Sequence, residues 1–270
     1  MPSKKPYMLA KRLAANEVVL TAWSSIPDRG FVSAIADQDF GAITLDMQHG
    51  GHNEASVLDG LEAVIAREKP AVVRIPVGRF DMASRALDFG ADAVIAPMVN
   101  SVTDAKRLAD AVKFPPTGER SWGPTRAVGL RGIAGGTDYL KSANADTVAM
   151  AMIETRQALA VLDDIIAVDG IDGVFVGPAD FSIAWTGGEV MNPRLEDMME
   201  PIAKIASTAR AVGKHAGIFA VNPADVPRFV EMGYRFIAVG FDTGVVAAGA
   251  KQILAIANGE LNKDDVKTGY

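Results

Sequence analysis

The sequence predicts an α/β protein, a (β/α)8 TIM barrel with an N-terminal helix and a long loop between strands 4 and 5. Three observations carry this. Eight short apolar runs rich in β-branched residues recur along the chain, and helical patterns fill the gaps between them. The length of 270 residues matches the roughly 250 that such a barrel uses. The runs lack polar alternation, as strands covered on both faces of a parallel sheet do. A doubly wound open sheet is the alternative that the same strand–helix rhythm allows.

The opening stretch "MPSKKPYMLAKRLAANE" reads as a short helix, basic but without an apolar run of signal-peptide length. The strands are expected at 18–23, 42–47, 71–77, 93–99, 148–154, 173–177, 215–220 and 236–240. Helical spacing follows in Val57, Leu61 and Val64, in Val102, Ala105, Leu108 and Val112, and in Ala158, Leu162, Ile165 and Ile166. Asn192-Pro193 and Asn222-Pro223 look like N-cap and N1 pairs, and Gly90, Gly170, Gly213 and Gly233 stand where helices should stop. The stretch "FPPTGERSWGPTRAVGLRGIAGG" (114–136) is too rich in glycine and proline to read as helix, and is expected to form a lid or an interface. The barrel is expected to occupy 1–257 as a single domain, followed by a polar tail over 258–270.

Composition narrows the function. An apolar fraction of 49% with 22% charged residues is that of a soluble globular chain. A net charge of −6 argues against a nucleic-acid partner, which would call for basic patches. The absence of cysteine excludes disulfides, thiolate metal sites and cysteine nucleophiles. No run reaches the ~18 apolar residues of a membrane span, so a cytoplasmic protein without membrane contact is expected.

Polar residues at the C-terminal ends of barrel strands form the mouth, where chemistry is expected. They are Asp46, Gln48 and His49, then Arg74, Glu154, Asp180 and Asp242. Glu154 and Asp180 end adjacent strands and would repel one another unless a cation compensates. Oxygen ligands alone suit a hard ion such as Mg²⁺ or Mn²⁺; the other reading makes both acids helix caps. Arg74 inside "AVVRIPV" must meet an anion, either a substrate carboxylate or a structural partner such as Asp46. Asp46 and His49 could form an acid–base pair.

Seven segments, in order over nearly the whole chain, resemble one family: "LDMQHG", "VVRIPVG", "APMVNS", "FPPTGER", "MIETRQAL", "IDGVFVGPADFS" and "FIAVGFDT". They are similar to the HpcH/HpaI aldolases, class II pyruvate aldolases that include 4-hydroxy-2-oxoheptanedioate and 2-dehydro-3-deoxyglucarate aldolases. The resemblance implies reversible cleavage of a 4-hydroxy-2-oxo acid to pyruvate and an aldehyde. It implies Glu154 and Asp180 as ligands of a divalent metal (Mg²⁺, Mn²⁺ or Co²⁺), and Arg74 with the N–H groups around Ala179 and Asp180 as the pyruvate cradle. It gives His49, oriented by Asp46, the proton of the aldehyde or alcohol oxygen. It further implies a homo-oligomer, a hexamer with the last helix swapped between neighbours, in which Asp88 reaches a neighbouring site. Three positions depart from the family pattern: Met152 stands where a glutamine is usual, Trp122 follows Arg120-Ser121 in place of "RG", and Phe219 stands where a smaller residue often lines the aldehyde pocket. Trp122 and Phe219 are therefore expected at the substrate. The rival readings are a citrate-lyase-like C–C lyase acting on an acyl-CoA, and a non-catalytic barrel that binds an oxo acid.

Overall fold

The structure, a computed structural model, describes residues 8–260; most of the expected polar tail, from 261 onward, lies outside the described residues. Eight strands form: β1 (Val19–Ser24), β2 (Ala42–Asp46), β3 (Ala71–Arg74), β4 (Ala93–Ala96), β5 (Val148–Met152), β6 (Gly173–Val176), β7 (His215–Ala220) and β8 (Phe236–Phe241). Each pairs in parallel with the next, and β8 returns to pair with β1. The closed ring is the barrel, and the open sheet is excluded.

The strands carry apolar residues on both faces because each face meets a core. Along β5, Val148, Met150 and Met152 point into the barrel among Val72, Ile95, Phe175 and Phe236. Ala149 and Ala151 point outward, towards helix residues such as Leu108 and Ile165. That is the two-residue period of a pleated strand. The helices answer with stripes at three- and four-residue spacing, as in Val57, Leu61 and Val64, all buried. Full burial of one such side chain contributes about 1.5–3 kcal/mol. The N-terminal helix Leu9–Ala14 puts Leu9 and Leu13, one turn apart, into the inner core, closing the end opposite the mouth.

Local chemistry sets the helix ends. Asn53 accepts from the N–H groups of Ala55 and Ser56 at 3.0 and 3.1 Å, while the Ser56 hydroxyl accepts from the Asn53 N–H at 2.9 Å. Gly90 and Gly233 end their helices at φ 117° and 108°. Asn222 caps a 3-10 turn at Pro223–Asp225 as expected. Asn192 does not cap a helix; its side chain accepts from the Arg194 N–H and shapes only a turn.

The β4–β5 connection corrects a second expectation. It contains the helices Thr125–Leu130 and Gly136–Asp146. Pro124, Gly132 and Gly135 flank these helices and bound them, so the local composition did not prevent helix. Phe114, Ala127, Tyr139 and Ala143 give the segment a small core of its own. Trp122 lies against it, 5.4 Å from Phe114 and 6.2 Å from Tyr139 between ring centres.

The last helix, Asp242–Ala257, is different. Of its sixteen residues only Asp242 is buried, and Val246, Ile253 and Leu254 are 50%, 60% and 61% exposed. No helix among the described residues is long and apolar enough to cross a membrane.

Candidate active site

Strand register builds the first half of the site. Asp46 and Arg74 are direct partners in the β2–β3 ladder, so their side chains emerge side by side into the barrel mouth. Arg74 donates from Nε to Asp46 Oδ1 at 2.9 Å and from Nη2 to Oδ2 at 2.6 Å. The guanidinium also lies 4.9 Å over the Trp23 ring. Asp46 is fully buried and receives further donors: the Trp23 indole at 3.2 Å and the N–H groups of Gln48 at 2.9 Å and Gly50 at 3.1 Å. Burial pushes the Asp46 carboxyl up, but the Arg74 guanidinium, with Gln48 and Trp23, outweighs it and holds the group below the ordinary carboxylate value. Arg74 thus meets the structural partner foreseen for it. The two bonds use one edge of its fork, and Nη1 makes no hydrogen bond to a described residue.

The second half stands across the mouth. Glu154, two residues beyond β5, is 1% exposed. Its Oε2 accepts from the Met98 N–H at 2.9 Å. Met98 presents that N–H at φ 54°, in the left-handed region that side chains larger than Asn seldom adopt. Gly177 lies so near that a Cβ there would overlap Glu154 Oε1. Burial, with repulsion from Asp180 added, pushes the Glu154 carboxyl from 4.5 up to about 7 against the pull of the Met98 bond and Arg74. Asp180 lies in the first turn of the helix Pro178–Trp185, which starts at Gly177 with proline at its first position. The Phe181 N–H bonds back to Gly177 and Pro178 has none, which leaves the N–H groups of Ala179 and Asp180 as the helix's unpaired donors. Such a pair is a ready anion site.

These halves line one cavity of about 290 Å³, together with His49, Trp23, Met152, Phe175, Phe219 and Phe241. The structure therefore brings together His49, Arg74, Glu154, Ala179, Asp180 and Phe219, with Asp46 directly behind Arg74. Other expectations fare differently. Asp46 meets the backbone N–H of His49, at 3.4 Å, and not its imidazole; its carboxylate is taken up by Arg74, so it orients the loop and not the ring. Trp122 and Asp88 do not line the cavity. Asp88 lies in the last turn of the helix Phe80–Phe89 and binds Arg120 at 2.6 Å, with Gly123 against it. Helices run back down the barrel, so that turn is remote from the mouth. Asp242 accepts from the N–H groups of Ser25 at 2.6 Å and Ile26 at 2.7 Å and ties the β1 loop to the last helix.

Trp23, Met98 and Gly177 were missed. Trp23 was legible as a strand residue, but its indole bond to Asp46 depends on strand pairing. Gly177 was read as a strand end, whereas its role is to leave room for a carboxylate.

A divalent cation fits this donor set. Glu154 has one oxygen held and one facing Gly177, in a buried setting where no cation among the described residues lies within bonding distance of its carboxylate. Asp180 repels it. No group of three or more His, Cys, Asp or Glu among the described residues is placed to hold a metal, so the protein would supply two oxygens. That suits an ion such as Mg²⁺, which keeps several positions for water and substrate.

Comparisons with known proteins point to one family. The sequence profile of the HpcH/HpaI aldolase/citrate lyase family matches residues 21–248. A hydroxypyruvate/pyruvate aldolase of Rhizorhabdus wittichii is 34% identical over 238 residues, 88% of this chain and 93% of its own. A 4-hydroxy-2-oxo-heptane-1,7-dioate aldolase of Salmonella dublin is 33% identical over 250 residues, 93% and 94% of the two chains. The crystal structure of an HpcH/HpaI aldolase/citrate lyase family protein from Burkholderia cenocepacia superimposes with a TM-score of 0.82 at 29% identity, covering 93% of this chain and 98% of that one. With eight parallel strands closed into a barrel, a polar mouth and a match over most of its length, the chain belongs to the HpcH/HpaI aldolase/citrate lyase family of carbon–carbon lyases.

Proposed function

We propose that the cavity is the active site of a divalent-metal-dependent aldolase that reversibly cleaves a 4-hydroxy-2-oxo acid to pyruvate and an aldehyde. The buried Glu154, facing Asp180 beside the open edge of Arg74, carries this reading. Arg74 Nη1 and the N–H groups of Ala179 and Asp180 receive the substrate carboxylate. Glu154 and Asp180 hold Mg²⁺, Mn²⁺ or Co²⁺, which when bound supplies a Lewis acid for the 2-oxo group. The His49 ring, exposed at the mouth, takes the C4 hydroxyl proton. The C3–C4 bond then breaks, its electron pair remains on C3, the aldehyde leaves, and a proton added to C3 completes pyruvate. No lysine among the described residues lines the cavity, which disfavours a Schiff-base nucleophile.

Pyruvate release, coupled to lactate dehydrogenase, should cease after exhaustive EDTA treatment and return when Mg²⁺, Mn²⁺ or Co²⁺ is added. Activity that survives chelation would sink the metal-dependent reading.

The exposed helix Asp242–Ala257 supports a homo-oligomer. Its apolar residues have little cover among the described residues, as expected of a segment that packs on a second copy. A hexamer is the state implied by the family resemblance, in which Asp88 reaches a neighbouring subunit's site. Light scattering should give an oligomer for the native chain and a smaller species for Ile253→Asp/Leu254→Asp; a monomeric native chain would refute the assembly.

A further inference from the structure

The cavity is divided by chemistry. Arg74, Glu154, Asp180 and the N–H groups of Ala179 and Asp180 supply its polar lining, with His49 exposed at the mouth. Its apolar wall is Trp23, Phe219, Val221, Phe241, Met191 and Pro193, and none of these offers a free side-chain hydrogen bond. Even the Trp23 indole N–H is engaged, at Asp46. From this wall we infer that the aldehyde handled here carries an apolar substituent of aromatic or branched-alkyl size, and not a carboxylate or a run of hydroxyls. The inference rests on the aldolase reading and names the acceptor.

Three observations carry it. The wall is built before a ligand arrives: Phe219 is wedged between Trp23, 5.2 Å away and edge-on, and Phe241, 4.8 Å away. Its rim is open to water, with Phe241 43%, Val221 47% and Met191 65% exposed, so an apolar group seated there removes apolar surface from both partners. Finally, Arg74 is the one arginine or lysine among the described residues that line the cavity. Its fork is bound to Asp46 on one edge and faces the pyruvate side on the other, so a carboxylate on the aldehyde would be desolvated without a counter-charge. A polyhydroxy aldehyde would likewise exchange water for ring faces and a thioether. Met152 adds to this, being 1% exposed beside the reacting centre without an amide to offer.

In the condensation direction C3 of pyruvate loses a proton, the C3 electron pair forms the new bond to the aldehyde carbon, and the aldehyde oxygen takes up a proton. The acceptor's substituent takes no part in that step. It contributes only binding, so its chemistry should be read in kcat/KM, mainly through KM.

The test uses the purified full chain with pyruvate and Mg²⁺. Benzaldehyde and 3-methylbutanal should be condensed with kcat/KM about tenfold or more above succinic semialdehyde and glyceraldehyde. Phe241→Arg should reverse the order by lowering the benzaldehyde value and raising that of succinic semialdehyde. Exchange of the pyruvate C3 protons with deuterated solvent, followed by NMR without any aldehyde, checks the aldolase reading separately. Exchange together with an equal or inverted aldehyde preference overturns the acceptor inference alone. Absence of both exchange and condensation overturns the aldolase reading and the inference with it. A Phe241→Arg chain that loses its assembly in light scattering with its aldehyde order unchanged would make the wall a subunit contact, and also overturns it.

Discussion

Glu154→Gln is expected to lose turnover and divalent-metal affinity together, turnover falling about a thousandfold or more because several kcal/mol of charge stabilisation go with the metal. Isothermal titration with Mn²⁺ beside the coupled pyruvate assay checks both, and an undiminished rate would make Glu154 a structural group. Gly177→Ala should act in the same direction, since its Cβ would displace the Glu154 carboxylate. The metal-free protein gives a separate reading. Glu154 titrates at about 7 in the fold against an ordinary value of 4.5, so folding takes up a proton between these values. The stability it contributes is full below about pH 4.5 and is lost as pH rises through about 7, a change of about 3 kcal/mol. Thermal melts of the metal-free protein should therefore fall with pH across this window relative to Glu154→Gln. Added Mg²⁺ should restore the native chain and leave the variant unmoved.

Arg74→Ala should be costly twice over. It strands a fully buried Asp46 charge, which destabilises by about 3–5 kcal/mol. It also removes the carboxylate's charged partner, so KM for pyruvate in condensation should rise roughly a hundredfold. Arg74→Lys separates the two effects. The ammonium keeps a charge beside Asp46 and recovers much of the melting temperature, but a point donor cannot hold Asp46 and substrate at once as the planar fork does. A native pyruvate KM in Arg74→Lys would reduce Arg74 to a structural ion pair.

The eight strands were legible because they are predominantly apolar on both faces, as strands of a covered parallel sheet are, and their number together with the chain length favoured a closed barrel over an open sheet. The site was legible where a charge interrupted such a run, as at Arg74, Glu154 and Asp180. What stayed hidden depends on pairing. Whether Asp46 would turn to His49 or to Arg74 is decided by the β2–β3 register, which sets Asp46 opposite Arg74, and nothing within "LDMQHG" encodes it. The helix Thr125–Leu130 was obscured because its glycines and prolines were averaged over the whole connection, when most of them lie at its edges. Trp122 was expected at the substrate because it follows Arg120-Ser121 where the family has "RG", yet its neighbours in space are Phe114 and Tyr139.

The N-terminal helix has a kinetic consequence. With Leu9 and Leu13 set into the inner core, the barrel is a blind tube, and everything enters and leaves by one door. Arg74 and Glu154 are buried where Phe241, Val221 and Met191 are exposed, so on the proposed reading pyruvate sits deeper than the aldehyde and the two do not come and go independently. In the proposed cleavage the aldehyde should depart first and pyruvate second, and in the proposed condensation pyruvate should be seated before its partner. Traffic in single file makes pyruvate the product that competes with the intact substrate for the empty enzyme. The seal at the far end of the barrel thereby sets the order of events at its mouth.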